Sequence, residues 1–272
     1  GYPDAATAEA GIAQHAAFRF ASPDELKAVA EAQVRRSWDV APAWFGRIPS
    51  ANCEVRLVEA FREADMPFAF YNQPTEDGSR PGVYYVNGFD LDRKPKHQLA
   101  STTYHEANPG HHFQVALEQE MDGRPAIRRF GGFLAGSAFT EGWGLYSERL
   151  ADEMGLYEDE SERLGMLDLQ GMRAARLVVD TGIHALGWTR ERAIATLEDA
   201  GLPTVEATIE TDRYITMPGQ ALSYKIGQFE IERQRTAAAE REGAEFSLRA
   251  FHDRLLALGS LPLTALRREL AS

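Results

Sequence analysis

A proline and a glycine interrupt the one stretch of this chain in which histidines gather. The segment Tyr104-His-Glu-Ala-Asn-Pro-Gly-His-His-Phe-Gln114 holds three of the seven histidines within eight residues, around Glu106. Its surroundings, from about His97 to Glu120, are helical in composition. Pro109, however, cannot donate to the carbonyl of His105, and its ring clashes there, so the helix must open at that point. In an unbroken helix His105 and His111 would stand about 120° and about 9 Å apart, and His105 and His112 would share a face about 10.5 Å apart. Neither pair could easily meet one ion. Asn108 can cap a restarted segment with Pro109 as its first residue, and Gly110 tolerates unusual torsions. The insert can therefore bulge outward and bring a later histidine back toward His105.

A glutamate directly after a histidine, with further histidines one or two turns on, is the grammar of helical zinc peptidases. Two imidazoles bind Zn²⁺ and the glutamate serves as general base. The usual spacing puts the second histidine four residues after the first, and here that position is Pro109. Cys53 is the only cysteine, so any metal must be held by histidines and carboxylates, and no disulfide framework exists. Such a set suits zinc and would also admit Mn, Fe or Co. The third ligand expected is Glu141, on a helix spanning about 135–153, which leaves a fourth position for water. Gly142 and Gly144 each cost about 1 kcal/mol relative to Ala in a helix interior, so something there requires close approach. Tight helix–helix packing would explain the glycines equally well. Glu148 is the alternative ligand, or else part of a solvated helix face.

The rest of the chain reads as mainly α, with a small β-sheet or hairpin near its N-terminal third. Residues 1–50 are expected to form a leader and a helix, and 51–272 a catalytic domain. The first 21 residues, rich in Ala and Gly, read as a leader or frayed start. Ser22-Pro23-Asp24-Glu25 is a helix start with a capping box, and that helix should end near Trp38, before Pro42. Strand-forming runs occur around Val55, Pro67–Tyr71 and Val83–Val86, with turn signals at Asp77-Gly78 and Pro81-Gly82. Helices are expected over 161–186, closed by Gly187, then from a Thr189 cap to Gly201 and from Thr204 to Pro218-Gly219. Two more should cover 221–242 and 247–258.

The formal net charge is −12, from 41 acidic and 29 basic residues. That balance argues against nucleic acid or an anionic membrane as a partner, because phosphates need a basic surface. No apolar run approaches the roughly 20 residues of a membrane-spanning helix. Cytoplasm is the default location, although a processed periplasmic protein would look the same.

From about residue 55 to 270 the chain resembles the DUF885 proteins, regarded as zinc-peptidase-like relatives of the gluzincins. The resemblance rests on Asp77-Gly-Ser-Arg-Pro-Gly-Val-Tyr-Tyr-Val-Asn87, Tyr104–Gln114 and Glu141-Gly-Trp-Gly-Leu-Tyr-Ser-Glu-Arg149. It continues through Ala175–His184, Gly187–Arg190 and Asp212–Gly227. It implies a zincin-like helical domain, His111 rather than His112 as second ligand, and Glu141 as third. Members of that family are usually about twice as long, so the resemblance also implies a C-terminal catalytic half. A missing N-terminal half or a homo-oligomer would then complete it.

The expected activity is zinc-dependent hydrolysis of peptide bonds, carboxypeptidase- or dipeptidase-like, with Glu106 taking a proton from water. Tyr224 and His184 are candidate donors to the oxyanion of the tetrahedral intermediate. Arg176 and Arg213 could bind a substrate carboxylate. Val83–Val86 could offer a strand edge to an extended peptide, with Asn87 bonding its backbone. Gln114 could orient a ligand histidine. The alternatives are a metal-stabilised binding or scaffold domain, and a zinc hydrolase of a non-peptide amide. No Glu-x-x-His, no Gly-x-Ser-x-Gly and no phosphate-binding glycine loop occurs, which disfavours di-iron, serine-hydrolase and nucleotide chemistry.

Overall fold

The computed structural model describes residues 18–271 together with Gly11, so most of the expected leader lies outside the described residues. Helix α1 (Pro23–Trp44) starts where the capping signal stands. The Ser22 hydroxyl accepts from the Glu25 amide at 3.1 Å, and the Glu25 carboxylate accepts from the Ala21 amide at 2.6 Å. The expected end near Trp38 is corrected: α1 runs through Pro42. Pro42 falls in the last turn, where a missing amide removes only one bond, and the Phe45 amide still closes the helix on the Ala41 carbonyl at 3.0 Å.

Three strands follow: β1 (Cys53–Leu57), β2 (Ala69–Asn72) and β3 (Gly82–Val86). The sheet order is β1-β3-β2, with β3 parallel to β1 and antiparallel to β2, Tyr84 standing between Val55 and Tyr71. β3 is therefore the central strand, and Val83–Val86 has no free edge to offer a peptide. That expectation is overturned. Alternation places Tyr84 and Val86 against Leu26, Ala30 and Val34 of α1, and Leu99 joins the same core. Asn87, just past β3, is buried and fully engaged. Its side-chain amide donates to the Glu63, Met66 and Pro67 carbonyls, and its oxygen accepts from the Phe89 amide. It shapes a loop, which corrects its expected role in binding substrate.

The chain then becomes helical, as its composition indicates: α2 (Leu99–Glu106), α3 (His111–Gln119), α4 (Ala126–Phe130), α5 (Ala138–Glu153) and α6 (Glu160–Leu186). Beyond them come α7 (Arg190–Asp199), α8 (Thr204–Thr216), α9 (Gln220–Glu242), α10 (Leu248–Ala257) and α11 (Leu263–Ala271). Thr189 and Ser247 cap their helices by accepting from Arg192 and Ala250 amides. Gly187, with φ 65°, closes α6. Helices α4 and α11 are additions to the expected set. The signal for α11 was present: Pro262 precedes Leu263, Leu266 and Leu270, an apolar i, i+3, i+7 pattern, and the last two are buried.

The described chain forms two compact units. One comprises the described residues up to 120 together with 147–166, the other 121–146 and the described residues from 167 on. In the second, Val179, Ala193, Leu197, Ala207, Tyr214 and Ala221 form a core shared by α6 to α9. There Gly142 of α5 meets Gly227 of α9 so closely that a Cβ on Gly142 would lie 2.4 Å from the Gly227 backbone. Of the two explanations for the glycine at 142, close helix packing is thus a sufficient one. Among the described residues no helix is long and apolar enough to cross a membrane.

Candidate metal centre

The detour expected at Pro109 exists, and Gly110 makes it possible. Helix α2 stops at Glu106, four residues turn back, and α3 begins at His111. A Cβ at position 110 would lie 1.9 Å from the His105 carbonyl oxygen and 2.4 Å from that of Tyr104. The returning chain presses its backbone onto the end of the helix it has just left, and only glycine fits. The break is held by His112 donating its amide to the Ala107 carbonyl (3.1 Å), and by the Ser147 hydroxyl donating to the Pro109 carbonyl (3.3 Å).

The result is convergence. The His105 and His111 rings lie 4.6 Å apart between centroids and nearly perpendicular, at 82°. One ligand atom from each of His105, Glu106 and His111 falls within 4.8 Å of the other two, and among the described residues this is the one such group. His105 is buried, while Glu106 and His111 are half-buried.

Glu148 approaches from α5. Its Oε1 stands 2.7 Å from His105 Nδ1, with both side chains buried. Of the two readings of Glu148, the solvated face does not describe this position. Burial rules that out, and the carboxylate meets the Nδ1 nitrogen of His105. Nδ1–H donates to the carboxylate, which puts the ring's lone pair on Nε2. The Tyr157 hydroxyl donates to the Glu148 carbonyl at 2.8 Å and steadies the helix there. On the other flank Arg36 donates to the Tyr104 hydroxyl (2.8 Å), which donates to the Leu156 carbonyl (2.9 Å), anchoring the residue before His105.

His112 has a different occupation. The Tyr71 hydroxyl donates to its Nδ1 at 3.0 Å, and its Nε2–H donates to the Ala51 carbonyl at 2.9 Å. A Cβ on Gly82 would strike the ring at 2.4 Å, so β3 packs directly on it. Burial pushes this imidazole down to about 4, which keeps it neutral. Both nitrogens are committed, and of the two histidines only His111 joins the cluster. Gln114 also differs from expectation, its side-chain amide donating to Glu118 at 2.7 Å.

Glu141 lies on α5, half-buried, seven residues before Glu148. At 3.6 residues per turn that spacing puts both carboxylates on one face of the helix.

The other sequence-selected residues lie in the second unit, and four of them gather there. Arg176 donates to the Tyr214 hydroxyl (2.9 Å) and to Glu210 (2.7 Å), and its guanidinium lies 4.6 Å from the Tyr224 ring centre. Arg213 donates to Gln220 (2.8 Å) and to the Tyr224 hydroxyl (3.3 Å). His184 Nε2 donates to the Tyr214 carbonyl (2.9 Å), so that nitrogen ties α6 to α8. Burial raises the Glu210 carboxyl, but the Arg176 and Arg213 guanidinia and the Tyr214 hydroxyl together outweigh it and hold Glu210 below its ordinary range. Glu210 and Tyr214 were missed in the sequence. Their signal was local: positions 210, 213 and 214 share one face of a short helix.

Residues 3–270 match the family described as "Bacterial protein of unknown function (DUF885)". The chain belongs to the DUF885 family. No curated protein matches it. Among solved structures, this DUF885 chain is similar to a protein from Colwellia psychrerythraea provisionally described as a lipoprotein, with 36% identity and a TM-score of 0.93. The match covers 98% of this chain and 46% of that one. A second structure, from Shewanella oneidensis, described in the same terms and of unknown function, shares the fold at 23% identity and a TM-score of 0.82. There the match covers all of this chain and 50% of the other. The DUF885 chain thus spans about half the length of the solved proteins it resembles.

Proposed function

We propose that this DUF885 chain carries the centre of a zinc-dependent hydrolase of peptide bonds. What carries the reading is the convergence of His105, Glu106 and His111 within 4.8 Å, around a break that only glycine permits. The donor set fits a divalent cation. His105 is oriented by a buried carboxylate so that Nε2 bears the lone pair, and His111 faces it across 4.6 Å. His105 and His111 would hold the ion. When bound, zinc supplies Lewis acidity and an acidified water.

The remaining chemistry belongs to the chain. The Glu106 carboxylate, next to His105 and half-exposed, takes a proton from the attacking water and delivers it to the leaving amine. Glu148 holds the His105 ring in one tautomer throughout.

Metal analysis of the purified chain, followed by digestion of a peptide library with and without chelator, tests the proposal. Bound zinc with chelator-sensitive cleavage is expected, and Glu106→Gln should keep the metal while losing turnover by about 10²-fold or more. Cleavage that survives in Glu106→Gln removes that residue from the mechanism. Absence of any metal removes the proposal.

A further inference from the structure

Helix α6 has an exposed face that is not built for water. Its outward positions include Leu167, Gly171, Ala174, Val178, Thr181 and Ala185, spaced 4, 3, 4, 3 and 4 residues apart, with His184 and Leu186 also exposed at its C-terminal end. Between Leu167 and Leu186 no exposed position is Asp, Glu, Lys or Arg. In a chain of net charge −12 this is out of character. The neighbouring α7 exposes Arg190, Glu191, Arg192, Glu198 and Asp199 over ten residues. A solvated helix face carries such charges, whereas a repeating 3–4 spacing of uncharged residues is the seam of a helix that packs.

The seam extends onto α9. Asp180 accepts from the Gly219 amide (3.0 Å), the Arg176 guanidinium covers Tyr224, and Lys225 donates to Gln170 (2.6 Å), so α6 and α9 run antiparallel. Ile226 and Phe229 of α9 therefore stand near the level of Leu167, and they are 45% and 52% exposed. Of the fourteen large apolar side chains exposed among the described residues, eleven belong to this unit.

We infer that this surface is a docking seam for a further helical stretch of polypeptide, the counterpart of the half that both solved relatives carry outside the match. Length argues for that occupant. The matched region is 46% of the Colwellia chain and 50% of the Shewanella chain, so each holds about as much polypeptide again. Chemistry narrows it further. Gly171 and Ala174, midway along the seam, let a second helix axis come close, and a Cβ on Gly171 would meet nothing within 4 Å. Leu167 and Val178 flank that gap as apolar contacts. The occupant presents an uncharged helix face about five turns long, following the roughly 27 Å that 18 helical residues span. A second copy of this chain is the competing occupant, and 12 excess negative charges on each copy weigh against it.

The test is a chimera in which the part of the Colwellia protein outside the match is joined to this chain in place of its own matched part. Radical footprinting then compares side-chain labelling at Leu167, Val178 and Phe229 with that in the 272-residue chain alone. A several-fold fall in labelling in the chimera, restored by Val178→Arg, is expected. Since Val178 is already exposed, Val178→Arg should leave the isolated chain folded by circular dichroism. Should the chimera not fold, the Colwellia segment made separately and mixed with the chain gives the same readout. Unchanged labelling in both formats overturns the inference. So does protection in the isolated chain that tracks a dimer by light scattering.

Discussion

His105 Nδ1 and Glu148 Oε1 lie 2.7 Å apart, between two side chains buried from water and 43 positions apart in sequence. The contact fixes which nitrogen of His105 bears a proton, and so which nitrogen can take a cation. Substituting Glu148→Gln keeps the shape and an acceptor oxygen but removes the charge. We expect zinc affinity to fall by about 10- to 100-fold while the fold persists. Competition with a chromogenic chelator, with circular dichroism as control, measures it. Wild-type affinity in that variant would show that Glu148 serves packing alone.

Gly110→Ala should be among the most damaging single-methyl changes in the chain. The added carbon would sit 1.9 Å from a backbone oxygen, which has no rotamer to escape into. Destabilisation of about 3 kcal/mol or more is expected, with loss of metal binding. Gly171→Ala is the contrast, because open space surrounds it on a helix, and there a gain of up to about 1 kcal/mol is expected. Urea unfolding of both variants decides; equal effects would mean the close approach at position 110 is not real.

His111 and His112 are adjacent and should fail differently. His111→Ala should abolish metal binding and leave the metal-free chain nearly as stable as before. His112→Ala empties a buried site and strips partners from Tyr71 and Ala51, so about 2–4 kcal/mol should be lost. Chelator-treated protein in denaturant titrations separates the two. A reversed pattern would exchange their roles.

Acid should loosen the C-terminal helix through Glu230. Burial opposes ionisation of that carboxyl. Hydrogen bonds from Arg267, Arg233 and Gln234 nonetheless hold it down at about 2, below its ordinary 4.5. A folded-state value lower than the unfolded one means the stabilisation is complete above about 4.5 and is lost as pH falls toward 2. Arg267 reaches Glu230 from α11. Arg267→Gln should therefore flatten the dependence of stability on pH between about 4.5 and 2, read from unfolding midpoints. An unaltered slope would mean the pair contributes nothing.

Much of the fold was written locally. Ser22 and Thr189 announced their helices by capping chemistry, and the Pro109-Gly110 break with the return of a histidine followed from what proline does to the preceding turn. What escaped was information carried by distant partners. Nothing near Val83–Val86 says that strands from both sides will flank it, so its burial as the central strand was invisible. His112 resembles His111 until Tyr71, 41 positions earlier, is placed beside it. Glu148 read as an alternative ligand or part of a solvated face because its partner is a histidine from another helix. Asn87 looked available because the carbonyls it binds belong to a loop 20 to 24 residues upstream. Pro42 misled for the opposite reason: a local rule was applied in a last turn, where it has little force.

The crossing of Gly142 and Gly227 has a consequence for how this sequence can vary. A methyl on the first would lie 2.4 Å from main-chain carbon, and one on the second 1.9 Å from the Ala138 carbonyl oxygen. Because each obstacle is main chain, no compensating replacement at the opposite position can make room. A saturation library should show two independently invariant sites here, unlike the paired tolerance usual where one side chain fills the space another vacates.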